Sequence, residues 1–258
     1  MIAFREGGRV LMDHYGSSLE TTVKESNCSV VTVADYASEK RILEVLGEVA
    51  TPCNIISEEA GFIHQGSEYT WVVDPLDGTS NFAAGLPWFG IIITLLREAE
   101  PILGGMFLPV ENVLYMAEKG KGTLREGRPI RTTGSVDLTQ QLVSYSFDHS
   151  NEPGKTEREM KLLARLSKHV RNIRSTNSLY DFCYVADGRV GAAMNQTTKI
   201  WDISAAALLI PEAGGVVTDM HGAPITLDIS ERSYMQNYTI AAAGKEMHQT
   251  LMNIVNPS

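Results

Sequence analysis

The stretch Trp71-Val-Val-Asp74-Pro-Leu-Asp77-Gly-Thr-Ser-Asn81-Phe82 reads as a hydrophobic strand that ends in acid. Tyr69 to Asp74 has the apolar, β-branched character of a strand. Pro75 has no N–H to offer a ladder and stops it. Asp77 follows at once, and Gly78 permits a tight turn that presents the amides of Thr79 and Ser80. Two carboxylates this close repel each other unless a cation lies between them. Carboxylates with a carbonyl are the hard oxygen donors that Mg²⁺ takes, leaving room for water and a phosphate group. Consecutive amides beside them form an anion nest. Read by itself, the stretch also fits a plain turn, because Asp-Pro and Asp-Gly pairs are common turn formers.

Working outward, the same acid-at-an-end pattern recurs. Ile55-Ile-Ser-Glu58-Glu59 closes another apolar strand, Thr32-Val-Ala-Asp35 follows a third, and Trp201-Asp202 opens a hydrophobic helix. Each has an ordinary reading. Asp35 and Asp202 fit helix N-caps, and Glu58–Glu59 fits a solvated loop. Four element ends that all carry acid are harder to dismiss than any one of them.

The remaining punctuation divides the chain in two. After a short helix at Phe4–Tyr15, a strand at Ser29–Val33 and an amphipathic helix at Asp35–Val49, the strands Gly90–Arg97, Ile102–Phe107, Val113–Glu118 and Gly122–Arg125 suggest an antiparallel meander. Beyond a polar helix at Thr156–His169, helices and strands alternate: strand Ile173–Ser175, helix Ser178–Ala186, strand Val190–Met194, helix Asp202–Ala213. The first half is thus expected to be α+β and the second α/β. The polar segment 131–140 is the boundary candidate, dividing 1–135, with most of the acids, from 136–258. Because the acids are shared between the halves, the two should pack as one unit.

Composition sets the limits. The 258 residues are 43% hydrophobic and carry a net charge of −9. A chain of that composition buries a core. It lacks the basic footprint of a nucleic-acid binder and is repelled by anionic membranes. Any anionic ligand must be drawn by something other than the net charge. Three cysteines are too few for a disulfide framework. The longest apolar run, Gly90 to Leu96, falls far short of the roughly 18 residues of a membrane span. Arg5, Glu6, Arg9 and Asp13 interrupt any signal peptide. A soluble, cytoplasmic protein is expected. None of the six histidines adjoins an acidic segment, so none is assigned a role, and Trp71, Trp88 and Trp201 are read as packing residues.

The segment Asp74-Pro-Leu-Asp77-Gly-Thr-Ser-Asn-Phe82, followed by Trp201-Asp202-Ile-Ser-Ala-Ala and Glu212-Ala-Gly-Gly215, resembles the paired signatures of the inositol monophosphatase family. That superfamily of Mg²⁺-dependent, Li⁺-sensitive phosphatases also includes fructose-1,6-bisphosphatases and 3′-phosphoadenosine nucleotide phosphatases. The likeness runs from near Lys24 to near Gly244. It implies a layered αβαβα sandwich, a homodimer, and two to three Mg²⁺ ions per site. It implies that Glu58 and Asp74, with the Leu76 carbonyl, hold one metal, and that Asp74, Asp77 and Asp202 hold a second. Gly78, Thr79 and Ser80 would bind phosphate. Asp35 and Thr79 would orient and deprotonate the attacking water, completing a catalytic set with Glu58. Lys24 matches a family lysine near the metal waters.

The implied reaction is hydrolysis of a small phosphorylated metabolite, inositol monophosphate-like, by in-line attack of an activated water, with no nucleic-acid polymer or membrane as partner. Two departures fall in the leaving-group pocket. Asn195 stands where the inositol enzymes carry a hydroxyl-binding Glu, and Thr176-Asn177-Ser178 stands for Gly-Ser/Thr-Ala. Asn195, Asn177 and Ser178 are the candidate substrate contacts, and 3′-phosphoadenosine nucleotide, fructose bisphosphate and histidinol phosphate stay open as substrates. An aspartyl-phosphate mechanism needs Asp-x-Asp, whereas the spacing here is one residue longer. A non-catalytic phospholigand-binding relative is the alternative of another class.

Overall fold

The run Gly90–Arg97 is buried along nearly its whole length, and the alternation of its side chains explains why. Ile91 and Ile93 join one hydrophobic cluster with Phe4, Ile42 and Leu46. Ile92 and Leu96 join another with Leu179, Trp201 and Leu209. Successive strand residues point to opposite faces, so a run apolar on both faces requires a cover on each side. The computed structural model, which describes residues 1–16, 21–23, 30–48 and 52–257, supplies both.

In chain order the first half contains α1 (Ile2–His14), β1 (Thr21–Val23), β2 (Val30–Thr32), α2 (Val33–Gly47), β3 (Asn54–Ser57), β4 (Gly61–Ile63), β5 (Tyr69–Asp77), α3 (Thr79–Ala83), β6 (Gly90–Arg97), β7 (Glu100–Leu108), β8 (Val113–Glu118), β9 (Thr123–Arg125) and β10 (Arg128–Ile130). The second contains β11 (Leu142–Ser146), α4 (Lys155–Leu166), β12 (Asn172–Arg174), α5 (Tyr180–Ala186), β13 (Ala192–Thr198), α6 (Ile200–Ile203), α7 (Ala206–Glu212), β14 (Gly215–Thr218), β15 (Tyr238–Gly244) and α8 (Lys245–Val255).

Eight strands form one sheet in the order β10-β9-β8-β7-β6-β5-β3-β4, antiparallel except where β3 runs parallel to β5. Five form a second, β12-β11-β13-β15-β14, in which β12, β11 and β13 are parallel and β15 runs antiparallel to both of its neighbours, β13 and β14. Helices α1 and α2 cover the outer face of the large sheet, α5, α6 and α7 lie between the sheets, and α4 and α8 cover the far side of the small one. The small sheet repeats the two-faced logic: Ala193, Ile240 and Ala242 face the central helices, while Val143, Met194 and Ala241 face α4 and α8. This is the expected αβαβα layering. Burying each such branched side chain contributes about 1.5–3 kcal/mol. Among the described residues no helix is long and apolar enough to cross a membrane.

Several local expectations need correction. Neither Asp35 nor Asp202 is an N-cap: α2 begins at Val33, and Lys199 caps α6 with Asp202 as its third residue. The helix expected over 202–213 is two pieces, α6 and α7. Pro75 does not end its strand, because β5 resumes pairing at Asp77. Trp88 is 38% exposed rather than packed away, whereas Trp201 is buried. Lys24 lies outside the described residues, as do Cys28 and Val49.

Candidate active site

The acidic stretch gains its geometry from a bulge. On β6, Ile92 pairs with Asp74 and Gly90 with Asp77, so three steps along β5 match two along its neighbour. An extra residue bends the strand and re-aims its side chains. Pro75, inside the bulge, needs no partner for the N–H it lacks, and its carbonyl accepts a hydrogen bond from the Ser38 hydroxyl at 2.8 Å. Asp74 and Asp77 both reach one cavity of about 290 Å³.

Each carboxylate is held by backbone. Asp74, 1% exposed, accepts the Leu76 N–H at 3.0 Å. Asp77 accepts the N–H of Leu179, at the start of the central helices. Asp202 reaches back to the Lys199 N–H at 2.6 Å. One oxygen from each of Asp74, Asp77 and Asp202 can be chosen so that all lie within 4.8 Å of one another. Glu58 lies just past β3, its N–H bonded to the Val73 carbonyl at 3.2 Å, and its side chain enters the same cavity.

The electrostatics follow from that crowding. Burial, reinforced by the charges of Glu58, Asp77 and Asp202, holds Asp74 well above the usual carboxylate range. Burial and Asp202 do the same to Asp77. Asp202 is pushed up to about 6, chiefly by burial. Among the described residues, no lysine or arginine lines the cavity to offset these charges. Hard oxygen donors that repel one another and lack a protein cation fit Mg²⁺.

Beside the acids, Gly78 adopts φ +85° and α3 starts at Thr79. The first N–H groups of a helix have no partner within it. The Thr79 hydroxyl lies 3.0 Å from the Leu76 carbonyl and 3.3 Å from Asp35 Oδ1, so its one hydrogen is shared between them. Asp35 is 1% exposed, lies behind the cavity wall and meets the site at the Thr79 hydroxyl, and the Ser80 side chain is exposed and off the wall.

The opposite wall comes from the second half. Asn177, Ser178 and Asn195 all line the cavity. Asn177, at φ +52°, donates from Nδ2 to Asp148 at 2.7 Å. The Ser178 hydroxyl lies 3.0 Å from that of Thr176, and Asn195 accepts the Thr197 N–H at 2.7 Å. The fold also places Ser146, Asp148, His149 and Thr197 on the wall, none of which the sequence reading had found. Asp148 carries the overlooked signal, an acid shortly after an apolar strand. His149 corrects the dismissal of all six histidines as remote from the acids.

The sequence profile of the inositol monophosphatase family matches residues 1–258. The chain belongs to the inositol monophosphatase family. A fructose-1,6-bisphosphatase/inositol-1-monophosphatase of Aquifex aeolicus is 31% identical, over 98% of this chain and 92% of its own. The Nus factor SuhB of Pasteurella multocida is 32% identical, over 99% and 93%. The solved structure of a Thermotoga maritima IMPase superposes with a TM-score of 0.87 at 28% identity, covering 99% of this chain and 94% of that one.

For this inositol monophosphatase family member the raised carboxylates have a measurable consequence. A carboxyl whose pKa is higher folded than unfolded binds protons more tightly when folded, so its contribution to stability falls as pH rises. For Asp202 that window runs from the usual carboxylate range to about 6. Buried His248, with a lowered pKa, acts in the opposite sense, so the informative quantity is the effect of added metal. The rise in thermal midpoint on adding Mg²⁺ is expected to be larger at pH 7 than at pH 5, because protons and the cation compete for the same oxygens. Scanning calorimetry at both pH values checks it, and an equal or larger rise at pH 5 contradicts it.

Proposed function

We propose that the chain is a Mg²⁺-dependent phosphomonoesterase acting on a small phosphorylated metabolite of the inositol monophosphate kind. One observation carries this reading: three carboxylates from two elements far apart in the chain, Asp74 and Asp77 of β5 and Asp202 of α6, converge to within 4.8 Å beside the first turn of α3. Asp74, Asp77, Asp202, Glu58 and the Leu76 carbonyl would hold two to three ions. Bound there, Mg²⁺ supplies a Lewis acid that offsets the charge of the phosphate and lowers the pKa of a water. The N–H groups of Gly78, Thr79 and Ser80 hold the phosphate oxygens. Thr79 accepts a hydrogen bond from the attacking water while its own hydrogen turns to Asp35, which takes up the proton that the water loses. The water oxygen bonds to phosphorus, the ester P–O bond breaks, and the departing alkoxide takes a proton from solvent. Asn195, Asn177 and Ser178 face the leaving group.

The division of labour between 1–135 and 136–258, argued from the polar segment 131–140, and a cytoplasmic location belong to the same reading, and sensitivity to Li⁺ and a homodimer rest on the family likeness. Phosphate release from a panel of monoesters, with and without Mg²⁺, tests it. Release is expected only with the metal, and Asp35→Asn should lower kcat by about 10² to 10⁴-fold with Mg²⁺ affinity unchanged. Release that survives a chelator, or full activity in Asp35→Asn, contradicts the reading.

A further inference from the structure

The polar groups of the leaving-group wall are mostly committed to the protein itself. The Ser146 hydroxyl donates to Asp181 at 3.1 Å, that of Ser178 is paired with Thr176, and that of Thr198 donates to the Tyr238 carbonyl at 2.9 Å. Thr197 Oγ1 receives the buried Lys155 ammonium at 2.5 Å, and Asn195 Oδ1 is occupied by the Thr197 N–H. Asp148 differs from these in offering an anionic oxygen. Asn177 Nδ2 fixes its Oδ1, and its Oδ2 has no hydrogen-bond partner among the described residues. The side chain is half-buried, lines the cavity, and is near enough that its charge acts on Asp202.

The geometry points to Asp148 as a specificity-determining residue that accepts hydrogen bonds from the hydroxyls of a neutral polyol leaving group and repels a second phosphate. This rests on the phosphomonoesterase reading above. An ionised carboxylate only accepts hydrogen bonds, so it suits a group that can donate, and hydroxyls are the donors an uncharged sugar or cyclitol offers. The metal ions and the α3 amides neutralise one phosphate. A second, as in a bisphosphate or a 3′-phosphoadenosine nucleotide, would meet Asp148 with no lysine or arginine on the described wall to receive it. Like charges brought together in a partly desolvated site are strongly disfavoured. Asn177 serves as the positioning residue, its left-handed backbone aiming the amide at Asp148.

The test compares wild type with Asp148→Asn on inositol 1-phosphate, ethyl phosphate, fructose 1,6-bisphosphate and histidinol phosphate, all with Mg²⁺. The preference for inositol 1-phosphate over ethyl phosphate is expected to fall by about tenfold or more, as for loss of a hydrogen bond to a charged group. The loss should lie in KM rather than kcat, and kcat/KM for the bisphosphate should rise. Asn177→Gly, in which glycine takes the same φ without strain, should shift the preference in the same direction by less. Equal losses on all esters, or an unchanged preference, overturn the assignment while leaving the phosphatase reading intact. A larger loss on histidinol phosphate than on inositol 1-phosphate also overturns it, since the carboxylate would then be reading an amine. If wild type releases phosphate from no ester, the phosphatase reading fails and this assignment with it.

Discussion

Asp77→Asn is expected to lower kcat/KM by about 10³-fold or more while leaving the metal-free protein at least as stable as wild type. The two effects have one cause. Asp77 sits beside Asp74, Asp202 and Glu58, and burial with the charges of Asp202 and Glu58 already drives its pKa up. Replacing it with a neutral amide of the same shape removes a repelling charge, and the amide oxygen can go on accepting the Leu179 N–H. Stability without metal is therefore preserved or improved. The same change removes an anionic ligand from a cation whose stabilisation of the transition state is worth several kcal/mol, each 1.36 kcal/mol being tenfold in rate. Turnover and chemical denaturation in a chelator, measured on one preparation, check both halves. A variant that keeps activity, or loses it only because it unfolds, contradicts the account.

Gly78→Ala is expected to cost about 3 kcal/mol or more of stability and to remove most activity in whatever folds. At φ +85° a side chain is strained by roughly 1–2 kcal/mol. A Cβ there would also lie 2.6 Å from the Trp88 carbonyl oxygen and 3.2 Å from Phe89 Cα. That obstacle is backbone and cannot swing aside. The Trp88 carbonyl is tied to the Asn81 amide at 2.8 Å, and the same amide holds the Thr176 carbonyl at 2.8 Å on the other half of the molecule. Relieving the clash would thus shift both the α3 amides and the leaving-group wall. Urea denaturation and initial rates measure the two effects. A midpoint within about 0.5 kcal/mol of wild type, the usual size of an innocuous surface change, would mean that the turn is not as tight as described.

Much of this site was legible because its signals are local. An apolar run that stops in acid can be read from Tyr69 to Asp77, or from Ile55 to Glu58, without knowing what packs where. The long strands were legible for a related reason: Gly90–Arg97 and Val113–Glu118 carry enough apolar residues to need burial in any fold. What escaped depends on distant partners. β13 runs past Met194 to Thr198 because β15 offers Ile240 and Tyr238 for pairing, 45 and 40 residues on from Asn195 and Thr198. The break between α6 and α7 falls where the Ser204 hydroxyl bonds Thr94 on the large sheet at 2.9 Å. Asp202 looked like a cap because acids favour helix starts, yet one turn of difference lets its carboxylate serve Lys199 and the acidic cluster together. Asp148 and His149 reach the cavity because β11 lies parallel beside β13, a pairing that no local pattern announces.

Whether the acids share a metal is decided by anomalous diffraction from crystals of the full chain soaked in Mn²⁺, a scattering substitute for Mg²⁺ with the same taste for oxygen ligands. Strong peaks are expected among the carboxylates of Asp74, Asp77, Asp202 and Glu58. Peaks elsewhere on the surface with none among those four side chains would contradict a shared metal.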